Sequence, residues 1–407
     1  MKDAKCRIFF LFLSLFFLFG EGAPKLRAEE FVYKHRVGDK YRILSTVHED
    51  VYLDRRLNHR AEILNRIAVE VTGIQNGVAY HEALFQTAEQ SRRANGEAAF
   101  QWDREYGSEF GRDSLGYITI DKKYYMPVVR NVPVFPGRDL SPEETWSAEG
   151  HEVHDFRDSF GIPEPYYIPF NAHYTFLGRR EWRGKEYPAF SVSYRIFVEP
   201  EAVSGALYPR RIMGSSDQKI YWNTVLGQTV AYEESFRMIF ELSNGQTVEY
   251  RGTAEAEIIE SPVMDKDKIA EEIAEDIKRL EIEDAAVRII DEGIAISLEN
   301  IQFQPDSAAL FSEEQEKLDK IAGILLRYPD RDILVGGHAA LAGSPAGQLE
   351  LSRQRASAVA AYLIKKGVRS ADRVMVRGYG AERPLGDNNT ETGRRQNRRV
   401  EITILEN

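Results

Sequence analysis

The chain has 407 residues, 43% hydrophobic and 29% charged, the balance of a folded, water-exposed protein. That length exceeds what one hydrophobic core serves, so two or three domains are expected. The formal charge of −11 argues against general affinity for nucleic acid or for an anionic membrane surface.

Residues 1–28 are expected to be a targeting segment and not part of the fold. Lys2, Lys5 and Arg7 precede an apolar run from Ile8 to Phe19, interrupted only by Ser14. The run is shorter than the roughly 20 residues that span a bilayer, and it suits a secretory signal. Cleavage sites offer themselves after Gly22, Ala23 and Ala28; an uncleaved signal anchor is the alternative. The single cysteine, Cys6, lies before the apolar run. A processed chain then forms no disulfide and carries no thioether-linked lipid, and the periplasm is the expected compartment.

From about Phe31 to Ile259 the signals are mostly strands. Ile67, Val69 and Val71 alternate with Ala68, Glu70 and Thr72. Phe190, Val192, Tyr194 and Ile196 alternate with polar or small neighbours, and so do Val248, Tyr250 and Ala254. Period-two alternation means one wet and one buried face, as in antiparallel sheets. Gln75-Asn76-Gly77 and Ser243-Asn244-Gly245-Gln246 read as hairpin turns. All four tryptophans (Trp102, Trp146, Trp182 and Trp222) fall here. The proline-rich stretch Met126 to Pro169 either joins two β subdomains or is a long excursion from one; two halves sharing a continuous sheet is the favoured form. A β-sandwich or open half-barrel is expected. A membrane β-barrel is disfavoured by the prolines, the irregular spacing and the lack of paired aromatic girdles. His151 and His154, in an HEVHD cluster, would share a metal only on a helix.

Asp265 to Leu280 reads as a helix, with Ile269, Ile273 and Ile277 in one narrow stripe after Pro262. It is expected to bridge the two regions. From Ala285 the type alternates. Strands are expected at Ile294–Phe303, Ile333–Gly337, Val374–Tyr379 and Val400–Leu405, and helices at Glu313–Tyr328 and Leu349–Lys366. Such alternation implies helices packed on a sheet.

Four segments in this last part stand in a telling order: IQFQPDSAAL (Ile301–Leu310), GHAALAGSPAGQLELSRQRASAV (Gly337–Val359) with LSRQRA inside it, GYGAERP (Gly378–Pro384) and NNTETGRRQNRRVEI (Asn388–Ile402). Together they resemble the OmpA-like domain of bacterial envelope proteins. The resemblance implies a βαβαββ-type α/β sandwich that holds a peptidoglycan stem peptide through its diamino acid, usually meso-diaminopimelate. That ligand ends in one ammonium and one carboxylate, so its pocket needs an anion and a cation. Arginine suits the latter because its planar fork binds a carboxylate bidentately.

The family's arginine matches Arg355. Its aspartate falls at Ala340, because the usual Gly-His-Thr-Asp is Gly337-His338-Ala339-Ala340 here. The usual Tyr-Asn is Gly347-Gln348, and an acid common in the first strand is Gln304. Loss of a charge-assisted hydrogen bond should weaken binding by at least about tenfold. Glu350 is the nearby acid that could substitute. Arg394, Arg395, Arg398 and Arg399 belong to the family's closing segment, so no nucleic-acid partner is expected.

The chain is thus expected to be multidomain. Its parts are a signal segment (1–28), a mostly antiparallel β region (29–260, perhaps divided near 126–169), a linking helix (264–283) and a C-terminal α/β sandwich (285–407). The expected function is non-catalytic: an envelope protein with a degenerate pocket whose peptidoglycan binding is weak, altered or lost. The alternative is an envelope scaffold or carrier whose β region holds an apolar ligand, a lipid or a protein partner. An aromatic-lined concave face would favour the carrier. No nucleophile elbow, phosphate loop, cofactor or metal is indicated.

Overall fold

A computed structural model describes residues 28–92, 100–201, 207–260, 264–299, 301 and 310–406. The basic and apolar N-terminal stretch up to residue 27 lies outside them, as does Gln304. Among the described residues no helix is long and apolar enough to cross a membrane, which says nothing of strands.

Strands β1 (Lys40–Leu53), β2 (Arg56–Gln75), β3 (Val78–Arg92), β4 (Phe100–Asp113) and β5 (Ile118–Ile120) form one antiparallel meander. The chain then crosses to the far edge of the sheet. There lie β6 (Val129–Arg130), β7 (Thr145–His154) and the one-turn helix α1 (Arg157–Phe160). A second meander returns through β8 (Tyr166–Trp182), β9 (Lys185–Val198), β10 (Pro209–Asn223), β11 (Gln228–Leu242) and β12 (Thr247–Glu260). β12 pairs with β1 from Tyr41 opposite Glu260 to Leu53 opposite Val248. The spatial order is therefore β5-β4-β3-β2-β1-β12-β11-β10-β9-β8-β7-β6. The two end strands do not pair with each other, so the sheet is open.

Local chemistry sets these hairpins. Asn76 and Gly77 both take positive φ (52° and 79°), as a two-residue turn between right-twisted strands requires. Arg183 and Gly184 do the same between β8 and β9. Between β1 and β2 the turn is Asp54-Arg55 (φ 48° and 65°), where aspartate takes this geometry readily and arginine does not advertise it. Inside the curve, aromatic rings fill the core. Phe170 and Tyr194 stack at 3.8 Å between centroids. Phe31, Phe135, Phe190 and Trp222 form a second buried group.

The C-terminal part contains α2 (Lys266–Arg279), β13 (Ala285–Ile290), β14 (Gly293–Glu299), α3 (Ser312–Leu325), β15 (Ile333–Gly337), α4 (Pro345–Lys365), β16 (Val374–Gly378), α5 (Glu391–Asn397) and β17 (Arg399–Leu405). Its strand order is β13-β14-β17-β15-β16, with β15 and β16 parallel and the other pairs antiparallel. Asp265 caps α2 by accepting the Lys268 amide at 3.1 Å. Ile273 and Ile277 of α2 are buried in the same core as α3, α4 and the sheet. The helix thus packs into the C-terminal core, although in sequence it links the two regions.

The sheet of this part is buried on both faces. Ile402 and Ile404 of β17 face the helices. Leu405 faces the other way and joins Leu334 and Met375 against Leu64, Ala88, Phe100 and Trp102 of the β region. Each such fully buried large side chain contributes roughly 1.5–3 kcal/mol. The edge strand β16 is also capped: Met375 and Val376 pair in parallel with Phe100 and Gln101 of β4. All described strands are thereby joined in one 17-stranded sheet.

Candidate functional site

The stretch Gly337–Ala340 leaves the end of β15 and passes under the first half of α4. The approach is close. A Cβ on Gly337 would lie 1.9 Å from the Ser352 carbonyl oxygen, so no other residue fits there. Ser352 is buried and locks this junction. Its Oγ donates to the Leu349 carbonyl (2.8 Å) and accepts the Gly380 amide (2.9 Å). The Ala339 amide donates to the Gly380 carbonyl at 2.7 Å.

Ala339 and Ala340 are both buried. Gln348 is buried and its Nε2 donates to the carbonyls of Ala342 (3.0 Å) and Gly343 (3.3 Å). It therefore fastens its own loop. Arg355 is half-buried; burial and the nearby Arg398 both lower the affinity of its guanidinium for its proton. Glu350 is exposed and engaged with Arg353 (Oε1 to Nη2, 2.7 Å) and Gln354 (2.8 Å). Gln304 lies outside the described residues.

His338 points to the opposite face of the sheet. It is buried, stacks on Tyr379 at 4.8 Å, and its Nε2 lies 3.5 Å from Oε2 of Glu401. Burial lowers its pKa. Glu401 also meets Arg288 and accepts from Arg399 Nε at 2.7 Å. Burial acts to raise the Glu401 carboxyl, yet His338 and Arg399 outweigh it and hold it at about 2.

Two residues missed from sequence shape the loop. Asn397, fully buried, accepts the amides of Leu385 (2.7 Å) and Gly386 (2.9 Å). It donates to the Gly386 carbonyl and to Asn388 Oδ1, both at 2.9 Å. Asn388 Oδ1 in turn accepts the Leu341 amide at 3.0 Å, beside Ala340. The only sequence signal was a pair of asparagines, Asn388 and Asn397, within the closing segment. The arginine run there is matched by carboxylates: Arg394 and Arg398 with Glu391, Arg395 with Asp284, and Arg399 with Glu401.

A second candidate lies in the β region. Its sheet lines a partly open cavity of about 310 Å³, bordered also by Met126–Val129 and by Val132 and Pro133. Ile43, Ile67, Phe85, Ile220 and Ile258 make its apolar wall. Arg112, His35, Tyr33 and Tyr41 also line it, as do Gln218 and Glu234. Burial raises the Glu234 carboxyl above its ordinary range. Ser216 Oγ donates to it at 2.6 Å. Burial and Arg112 push His35 down to about 4, leaving it neutral.

His151 and His154 sit on a strand and so face opposite ways. His154 Nε2 lies 2.7 Å from Glu152, while His151 packs against Tyr167.

The C-terminal sandwich, with its α4 junction and its arginine, defines a class of envelope domain, and the family comparison agrees. Residues 302–398 are an OmpA-family domain. This segment is 38% identical over 104 residues to the peptidoglycan-binding protein ArfA of Mycobacterium tuberculosis, covering 26% of this chain and 32% of that protein. It is 38% identical over 105 residues to the probable lipoprotein YiaD of Escherichia coli, covering 26% and 48%. The chain thus spans a third to a half of these relatives. Among solved structures, an outer membrane protein of Borrelia burgdorferi matches at 35% identity, covering 30% of this chain and 96% of that one, with a TM-score of 0.25.

Proposed function

We propose that this is a non-catalytic protein of the bacterial envelope, exported to the periplasm, whose OmpA-family domain meets peptidoglycan through a weakened pocket. The reading rests on one position. Ala340 places a buried methyl where the stem-peptide ammonium needs an anion, and Glu350 is committed to Arg353 and Gln354. A buried ammonium without a carboxylate is strongly disfavoured. Arg355 would still receive the ligand carboxylate, so binding is weakened at one end only. Titration calorimetry with the tripeptide L-Ala–D-Glu–meso-diaminopimelate tests this. Affinity should be weak in the native chain and rise at least about tenfold in Ala340→Asp. Tight binding by the native chain would sink the reading.

The largely apolar cavity supports a second role beside the first, in which the β region carries an apolar ligand. The domain would then hold this carrier at the wall.

A further inference from the structure

The cavity of the β region has a chemical polarity that narrows its occupant. Its wall is apolar over most of its extent, from Ile43 and Ile258 through Ile67, Phe85 and Ile220. At one place the wall carries a guanidinium. Arg112 lies with Cζ 4.9 Å from the centre of the Tyr33 ring and 5.7 Å from that of Phe110. Its Nε is buried with no hydrogen-bond partner among the described residues. Its neighbours supply little negative charge. His35 is neutral, Tyr33 and Tyr41 are buried phenols, and the Asp39 carboxylate is turned to the Arg36 amide at 2.8 Å. A guanidinium cannot discharge itself by losing its proton at cellular pH.

The carboxyl in the wall behaves differently. Ser216 Oγ and Gln218 Nε2 both donate to Glu234 Oε1, and burial raises its carboxyl towards the neutral form. One cation therefore faces an apolar space that offers it aromatic faces and a buried Nε without an acceptor. A volume of about 310 Å³ stands at the small end for ligand sites, which suits one acyl chain and not the two of a diacyl lipid.

We propose that the cavity binds a single-chain anionic amphiphile of the fatty-acid class, its carboxylate at Arg112 and its chain along Ile43, Ile67, Phe85 and Ile220. This rests on the carrier reading and adds the ligand's charge and shape. The net charge of −11 disfavours adhesion to an anionic bilayer, but it does not govern one carboxylate meeting the half-buried guanidinium of Arg112.

The test uses the full chain, stripped of bound lipid by refolding, with the neutral fluorescent probe N-phenyl-1-naphthylamine. Probe fluorescence should rise on binding, and dodecanoate should displace it with an affinity roughly tenfold or more above that of 1-dodecanol. Arg112→Gln should remove this preference, leaving dodecanol unchanged. Ile67→Trp, which fills the cavity, should abolish probe binding while circular dichroism still reports the folded sheet. Equal displacement by dodecanoate and dodecanol, or an unchanged preference in Arg112→Gln, would overturn the anionic assignment and leave the carrier reading standing. No probe binding by the native, folded chain would overturn both.

Discussion

Arg66 of β2 and Asp332, just before β15, form a buried ion pair across the two halves of the molecule. Arg66 Nη2 lies 2.5 Å from Asp332 Oδ2, and Arg373 Nε approaches Oδ1 from the same side as β16 at 2.7 Å. The side chains of Asp332 and Arg66 are only 6% and 12% exposed. The pair lies beside the apolar contact of Leu64, Phe100 and Trp102 with Leu334, Met375 and Leu405. The OmpA-family domain is therefore docked on the β region and does not swing on a tether.

Breaking this pair should be costly because the stranded partner stays buried. Asp332→Ala leaves two arginines without their anion and should destabilise the chain by about 3–5 kcal/mol. Arg66→Ala should cost less, because Arg373 still satisfies the carboxylate. Urea unfolding monitored by tryptophan fluorescence reads both, since Trp102 sits in the contact.

Acid should weaken the C-terminal sheet through Glu401. Its pKa is lowered from the ordinary 4.5 to about 2 in the fold. A carboxyl depressed by folding contributes stability that is present above 4.5 and lost as the pH falls towards 2. Melting temperature should drop across that window, and Glu401→Gln should show a lower plateau with a flatter slope.

The β region should respond in the opposite direction through Glu49. Burial, reinforced by Glu89, raises its carboxyl from 4.5 to about 7. The fold favours the protonated form, so this group's contribution is full below 4.5 and is lost as pH rises through 7. Glu49→Gln should remove the decline between these values in a pH series of chemical denaturation.

Gly337→Ala should drive its methyl into the Ser352 carbonyl and lift α4 from the sheet. The expected cost is about 3 kcal/mol, the upper end for overpacking. Asn397→Ala should cost about 1–3 kcal/mol by stranding the Leu385 and Gly386 amides. Differential scanning calorimetry of each variant gives these values.

Much of this was legible in local pattern. The strands with one wet face, the Asn76-Gly77 turn, β15 and the helices α2 to α4 follow from periodicity and turn chemistry. β13 escaped because Ala285–Ile290 is a short strand with three large apolar side chains and little burial. α5 escaped because Glu391–Asn397 has no apolar stripe; the Thr390 cap and the Glu391 pairs hold it. The docking of Arg66 on Asp332 joins residues 266 apart in sequence, beyond the reach of any local signal. At the candidate site, Ala340 and Arg355 are named by the resemblance alone and remain part of the proposal. The turning of His338 to the far face and the internal ties of Gln348 depend on packing that no spacing encodes.

The most direct test of the proposal that the pocket is weakened is co-sedimentation with purified peptidoglycan sacculi, using the native chain, Ala340→Asp and Arg355→Ala. The native chain should stay largely in solution and Ala340→Asp should move to the pellet. Sedimentation of the native chain that Arg355→Ala abolishes would contradict this and mark a fully working wall anchor with a different ligand chemistry.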